Sequence, residues 1–190
     1  MMDTFIGLGI VIENDDNLMI EVENTLDLLN EYADNIMLTY PHDGDTNDWR
    51  TDSFEGKLNA MIEGLSYRTA YADMELILGN EVYEARLSMS NEGSVTVLKF
   101  EISDRDVFHD RTFEDLERVT QIFTEFIRTI DRNVHHSYIF CDNEADFLYK
   151  KERLIEVGYN PYAIIKMGDR DVAYAAWYLD GFTERNQSIH

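Results

Sequence analysis

Residues 71–103 read YADMELILGN EVYEARLSMS NEGSVTVLKF EIS, and the fold turns on how they are read. Met74, Leu76 and Leu78 alternate with Asp73, Glu75 and Ile77, the period-two pattern of a strand with one face on a core. Val82 to Ser90 has a strand's composition with imperfect alternation. Asn91-Glu92-Gly93-Ser94 is a turn signal. Val95, Val97, Phe100 and Ile102 continue as a further strand. The stretch predicts an antiparallel meander of about three strands.

Toward the N-terminus, residues 5–12 (FIGLGIVI) predict a buried first strand. Gly7 and Gly9 within it read as points of close backbone packing. A nucleotide loop would need a third glycine and a helix opening there, and no Walker lysine pattern occurs. Asn14-Asp15-Asp16-Asn17 supplies capping side chains and places acids at the positive end of a helix. Leu18, Val22, Leu26, Leu29, Ala33 and Ile36, three or four apart, predict that helix. Residues 36–40 predict a short second strand. Strand, helix and strand with short joins predict a parallel pairing through a right-handed crossover. Residues 41–52 (PHDGDTNDWRTD) predict an exposed loop, after which Ser53 caps a helix bearing Phe54, Leu58, Met61, Ile62 and Leu65.

Toward the C-terminus, Thr112 with Asp115 resembles a capping box. Leu116, Val119, Phe123, Phe126, Ile127 and Ile130 form the apolar stripe of the helix that follows. His135 to Cys141 predicts a strand, and Asn143 the cap of a helix over 144–157 ended by Gly158. Residues 162–167 and 172–179 predict two last strands around the turn at 168–171, with a frayed tail from about 183. The fold class is α+β: one domain over residues 1–190, a single mixed, mostly antiparallel sheet with about four helices packed on it.

Charge restricts function more than any motif does. The chain has 38 Asp+Glu against 16 Lys+Arg, a formal net charge of -22, and 12% aromatic residues. That aromatic content belongs to a folded body, so the charge lies on its surface. Such a surface excludes non-specific nucleic-acid binding and disfavours anionic membranes. No apolar stretch approaches the roughly 18–20 residues that span a bilayer. The N-terminus lacks the basic region of a signal peptide, and the single cysteine, Cys141, permits no intramolecular disulfide. The expectation is a cytoplasmic protein. Residues 1–49 hold twelve acids and no Lys or Arg; the first base is Arg50.

No motif commits the chain to catalysis. Asp43, Asp45 and Asn47 stand like the first ligands of a calcium loop, but Asp48 occupies the glycine position and Phe54 the glutamate position. Asp104, Asp106, His109 and Asp110, with Asp142, are the basis of an alternative reading as a metal-dependent hydrolase. Arg105 and Arg111 are interleaved among them, and a polar strand-to-helix turn accounts for the same residues. His135 and His136 point to opposite faces of a strand, one of them as a structural histidine. Cys141 has no base in view and reads as core. No catalytic residue, metal ligand or cofactor is therefore assigned. Trp49 is costly to leave in water beside Asp48 and Arg50; it either folds back on the domain or anchors a partner.

The strand opening FIGLGIVI at 5–12, the segment SVTVLKFEI at 94–102 and the overall acidity together resemble the immunity proteins of bacterial polymorphic toxin systems. The resemblance implies a non-enzymatic protein that binds and blocks a cognate toxin, often a nuclease with a basic cleft. The charge distribution directs such a partner to Asp43, Asp45, Asp48, Trp49 and Asp52 and to Glu23, Asp27 and Glu31 on the outer face of the first helix. A DNA-mimic inhibitor is a variant of this reading. The eighteen acids and eleven bases of residues 101–190 argue against full mimicry. The oligomeric state is left open.

Overall fold

The computed structural model describes residues 4–54, 58–67, 69–110, 112–145, 148–156 and 160–179. The 71–103 stretch forms three consecutive antiparallel strands, β4 (Tyr71–Leu78), β5 (Glu81–Asn91) and β6 (Val95–Ser103), as its pattern predicts. Around them the chain adds β1 (Phe5–Glu13), α1 (Leu18–Tyr32), β2 (Ala33–Pro41), β3 (Trp49–Ser53) and α2 (Leu58–Leu65) on one side. On the other follow α3 (Asp104–Val107), α4 (Phe113–Asn133), β7 (Tyr138–Asn143), α5 (Lys151–Glu156), β8 (Ile164–Lys166) and β9 (Ala173–Tyr174). The strands make one nine-stranded sheet in the order β3-β2-β4-β5-β6-β1-β7-β8-β9. Every neighbouring pair is antiparallel.

The order corrects the expected parallel pairing of the first two strands. β1 and β2 run in the same direction, but β6, β5 and β4 lie between them. Both edges of β1 are taken, by β6 and β7. α1 therefore carries the chain across the meander. It ends without a loop, because Ala33 is already extended at its C-cap. Ala33 and Ile36 consequently lie on β2 and not on the helix.

Further boundaries differ. The strand expected over His135–Cys141 begins only at Tyr138 and runs to Asn143, leaving both histidines ahead of it. Residues 41–52 are not all loop: His42–Gly44 is a 3₁₀ turn, and Trp49–Ser53 returns as an edge strand. Ser53 thus completes β3 and caps no helix. Asn143 completes β7, because Glu144 adopts φ +51, a left-handed conformation from which a helix cannot start. The helix expected over 144–157 is described as α5 alone, and its proposed end at Gly158 lies outside the described residues, as does the tail from 183. The last two strands are present but shorter than expected.

α1, α2 and α4 pack on one face of the sheet. Ile6, Leu8 and Ile10 from β1 meet Leu26 and Leu29 of α1, Met61 and Leu65 of α2, and Phe123 and Ile127 of α4 in one continuous core. α4 begins as predicted: Thr112 Oγ1 accepts the Asp115 N–H at 3.2 Å, and the Asp115 carboxylate accepts the Asp110 N–H at 3.1 Å. Arg118 then ties α4 to the sheet, with Nη1 2.7 Å from Glu81, Nη2 2.8 Å from Asp115 and a further bond to the Val107 carbonyl.

The second face is covered over half its width. Val11, Val97, Tyr138 and Phe140 meet Ala145, Leu154 and Tyr162 there. Gly9 is what lets this layer close, since a Cβ at that position would stand 2.2 Å from the Phe140 ring. The other half of that face, over β3, β2, β4 and β5, carries no helix among the described residues. It presents Trp49, Thr51, Met37, Thr39, Tyr71, Asp73, Glu84 and Arg86, which share a face by register.

Candidate partner-binding surface

The β2–β3 hairpin gathers part of the expected acidic set. Its tip, residues 42–48, is closed by the His42 N–H donating to the Asp48 carbonyl at 2.7 Å and the Asp45 N–H donating to the His42 carbonyl at 2.9 Å. Asp43, at φ +50, turns its exposed carboxylate outward. The His42 ring stands 3.6 Å from Asp43 and 3.2 Å from Asp48. Asp45 accepts the Asn47 backbone N–H at 2.9 Å and its side-chain amide at 3.0 Å. These two bonds hold the Asp45 carboxyl below its ordinary range. The tip therefore presents three exposed carboxylates in a hydrogen-bonded frame.

Trp49 and Asp52 belong to the same hairpin but point to opposite faces. Asp52 lies on the helix-covered side, where it accepts the Tyr40 hydroxyl at 2.7 Å. That bond raises the Tyr40 hydroxyl above its ordinary pKa. Trp49 lies on the open side, 43% exposed, with its indole N–H donating to the Thr46 carbonyl at 2.9 Å. The indole is neither buried in the domain nor free of it: its polar edge is held locally and its faces remain open.

Glu23, Asp27 and Glu31 form a stripe on α1, each one turn from the next, opposite the buried Val22, Leu26 and Leu29. Asp27 and Glu31 are exposed and Glu23 is half-buried. Among the described residues no hydrogen bond or ion pair joins this stripe to the hairpin. Sequence reasoning thus named two acidic groups that the fold places on separate elements.

The residues of the hydrolase alternative are dispersed. Asp104 is buried and accepts the Thr4 hydroxyl at 2.5 Å. His109 stands 3.7 Å from Glu81, and Asp110 accepts the Thr112 N–H at 3.0 Å. Asp142 is buried on β7, accepting the Asn143 and Tyr178 N–H groups at 2.8 and 3.1 Å. Asp106 is exposed on α3. Among the described residues no three His, Cys, Asp or Glu side chains gather as metal ligands would. Cys141 is fully buried, and burial pushes its thiol well above the ordinary range.

Sequence reasoning missed the open sheet face and the strand at its edge. On that face Arg86 is bidentate to Asp73, at 2.8 and 3.2 Å, and lies 3.8 Å over the Tyr71 ring. Lys99 meets Glu101 at 2.8 Å. The cations of this face are thus taken by acids of the chain itself. The available signal was the alternation of Trp49, Thr51 and Ser53 with the charged Arg50 and Asp52.

The fold and the acidic surface leave the function open, and comparison with known families supplies it. The family model for immunity protein 64 matches residues 3–185. The chain belongs to the immunity protein 64 family. No curated protein and no solved structure matches it. Membership of this immunity family implies a toxin-neutralising role carried out by binding a toxin partner, and such proteins typically act without catalysis. Among the described residues no helix is long and apolar enough to cross a membrane.

Proposed function

We propose that this immunity-family protein neutralises a basic toxin in the cytoplasm by docking it on the acidic tip of the β2–β3 hairpin and the outer face of α1. One observation supports this reading above the others. Of the eleven described acids in residues 4–49, only Glu13 meets a Lys or Arg among the described residues, Lys151 at 3.5 Å. Carboxylates left without internal cations create a field that steers a cationic partner and raises its association rate. A nuclease, whose active cleft must attract phosphates, is the toxin class such a field fits.

In this reading Asp43, Asp45 and Asp48 supply the first encounter, and Glu23, Asp27 and Glu31 widen the negative surface. Trp49 and Asp52 flank the tip on either face of the hairpin. The test is stopped-flow association with the purified cognate toxin domain. Asp43→Asn/Asp45→Asn/Asp48→Asn should slow association roughly tenfold at low salt, with far-UV circular dichroism unchanged. An unchanged association rate would remove the hairpin tip as the docking surface.

A further inference from the structure

We infer that this chain forms a two-fold dimer in which β3 pairs antiparallel with β3 of a second copy, joining two sheets into one. The first support is the backbone. β3 is the last strand of the sheet. The Phe54 N–H donates to the Ile36 carbonyl at 2.9 Å, and the His42 N–H donates to the Asp48 carbonyl at 2.7 Å. In an antiparallel ladder hydrogen-bonded pairs alternate, so Arg50 and Asp52 turn their peptide groups toward β2. Trp49, Thr51 and Ser53 turn theirs outward. Among the described residues no hydrogen bond satisfies these outward groups. No proline and no bulge blunts this edge; its protections are its shortness and the charges of Arg50 and Asp52, which a second copy can pair.

The second support is that the strand is its own complement. Antiparallel pairing centred on Thr51 sets Arg50 opposite Asp52 of the second copy, and Asp52 opposite its Arg50. Arg50 is the only Lys or Arg in residues 1–56, and among the described residues it makes no ion pair within the chain. Asp52 is exposed and accepts the Tyr40 hydroxyl on Oδ2 alone, leaving its other oxygen to meet a cation. The same register sets Trp49 opposite the small Ser53. Beyond Ser53 on that face stands Met37, 39% exposed and paired with Ser53 in the β2–β3 ladder. An indole laid over Ser53 reaches that thioether, a favourable sulfur–aromatic contact. Three fits coincide only for a partner carrying the same residues in inverted order, as a two-fold axis requires. Trp49 and Asp52 then belong to the dimer seam, and the toxin reading rests on Asp43, Asp45 and Asp48, which lie outside the paired segment, and on α1.

Sedimentation velocity on the full chain tests this. Wild type should dimerise, and more tightly as salt rises, because screening relieves the repulsion between two acidic bodies. Arg50→Asp and Asp52→Arg should each weaken the dimer roughly tenfold or more, since like charges then face each other twice. Mixing the two variants should restore a heterodimer. Thr51→Pro removes an outward N–H that β2 does not use, so it should leave the fold intact by circular dichroism and yield a monomer. A wild type that stays monomeric at high concentration overturns the inference. So does a mixture of the two reversal variants that fails to pair while wild type dimerises. The toxin-docking reading stands apart: the Thr51→Pro monomer should bind toxin at the wild-type rate.

Discussion

The imidazole of His136 is buried where α4 leads into β7, with Nε2 3.0 Å from Asp131. Lys166 shares that carboxylate at 3.2 Å, and the neighbouring His135 is exposed. Burial holds His136 below its ordinary pKa of 6.5, outweighing the pull of Asp131, with Lys166 and His135 acting in the same direction as burial. The unfolded chain therefore takes up a proton at His136 that the folded chain refuses. The resulting stability is present above about pH 6.5 and is lost as pH falls from there through the lower folded value. Melting temperatures taken from about pH 7.5 to about pH 5.5 should fall more steeply for wild type than for His136→Gln. One histidine of the pair is structural, as expected, but strand alternation is not what separates them, since both lie between the end of α4 and the start of β7. Its partners were not legible: Lys166 comes from β8, thirty positions further along the chain, and only the closed sheet brings it to Asp131. Gly9 was legible as a close-packing site, while the Phe140 ring that needs it was not.

At the scale of elements, legibility followed how local the determining forces are. α4 was readable in full because its cap and its stripe lie within its own residues. Thr112→Ala should remove the Oγ1 acceptor for Asp115 and cost about 1 kcal/mol in urea unfolding, with the slope of the transition unchanged. The meander was readable because β4 buries alternate residues, Ala72, Met74, Leu76 and Leu78. β3 was not, because all five of its residues are exposed and no apolar alternation marks it. α2 shows a compromise of another kind. Gly64 lowers helix propensity, yet a Cβ there would stand 2.4 Å from Leu38 Cδ2, so the glycine sets how closely α2 approaches β2. The acidic surface was readable as charge along the chain. Its division between the hairpin and α1, and between the two faces of β3, depended on strand pairings that no local pattern contains.

For the whole molecule, a net charge of -22 on one body means strong self-repulsion. Raising salt should therefore increase the melting temperature, a direction that calorimetry at low and high ionic strength would check. The same screening should weaken encounter with a cationic toxin while favouring the β3 dimer, so two salt series separate the molecule's two surfaces. The class of fold was visible in the sequence because alternation and helical periodicity are abundant. The strand order was not, since it depends on which edges remain free once the meander has formed. That order has a consequence for synthesis. β1 precedes both of its neighbours in the chain, yet it sits between β6 and β7. Its ladders need residues 95–103 and 138–143, so the growing chain carries an apolar strand without its neighbours until those segments have been made. Both edges of β1 can be paired only after β7 has formed, so the strand at the centre of the apolar core is the one whose enclosure waits on the most distant part of the chain.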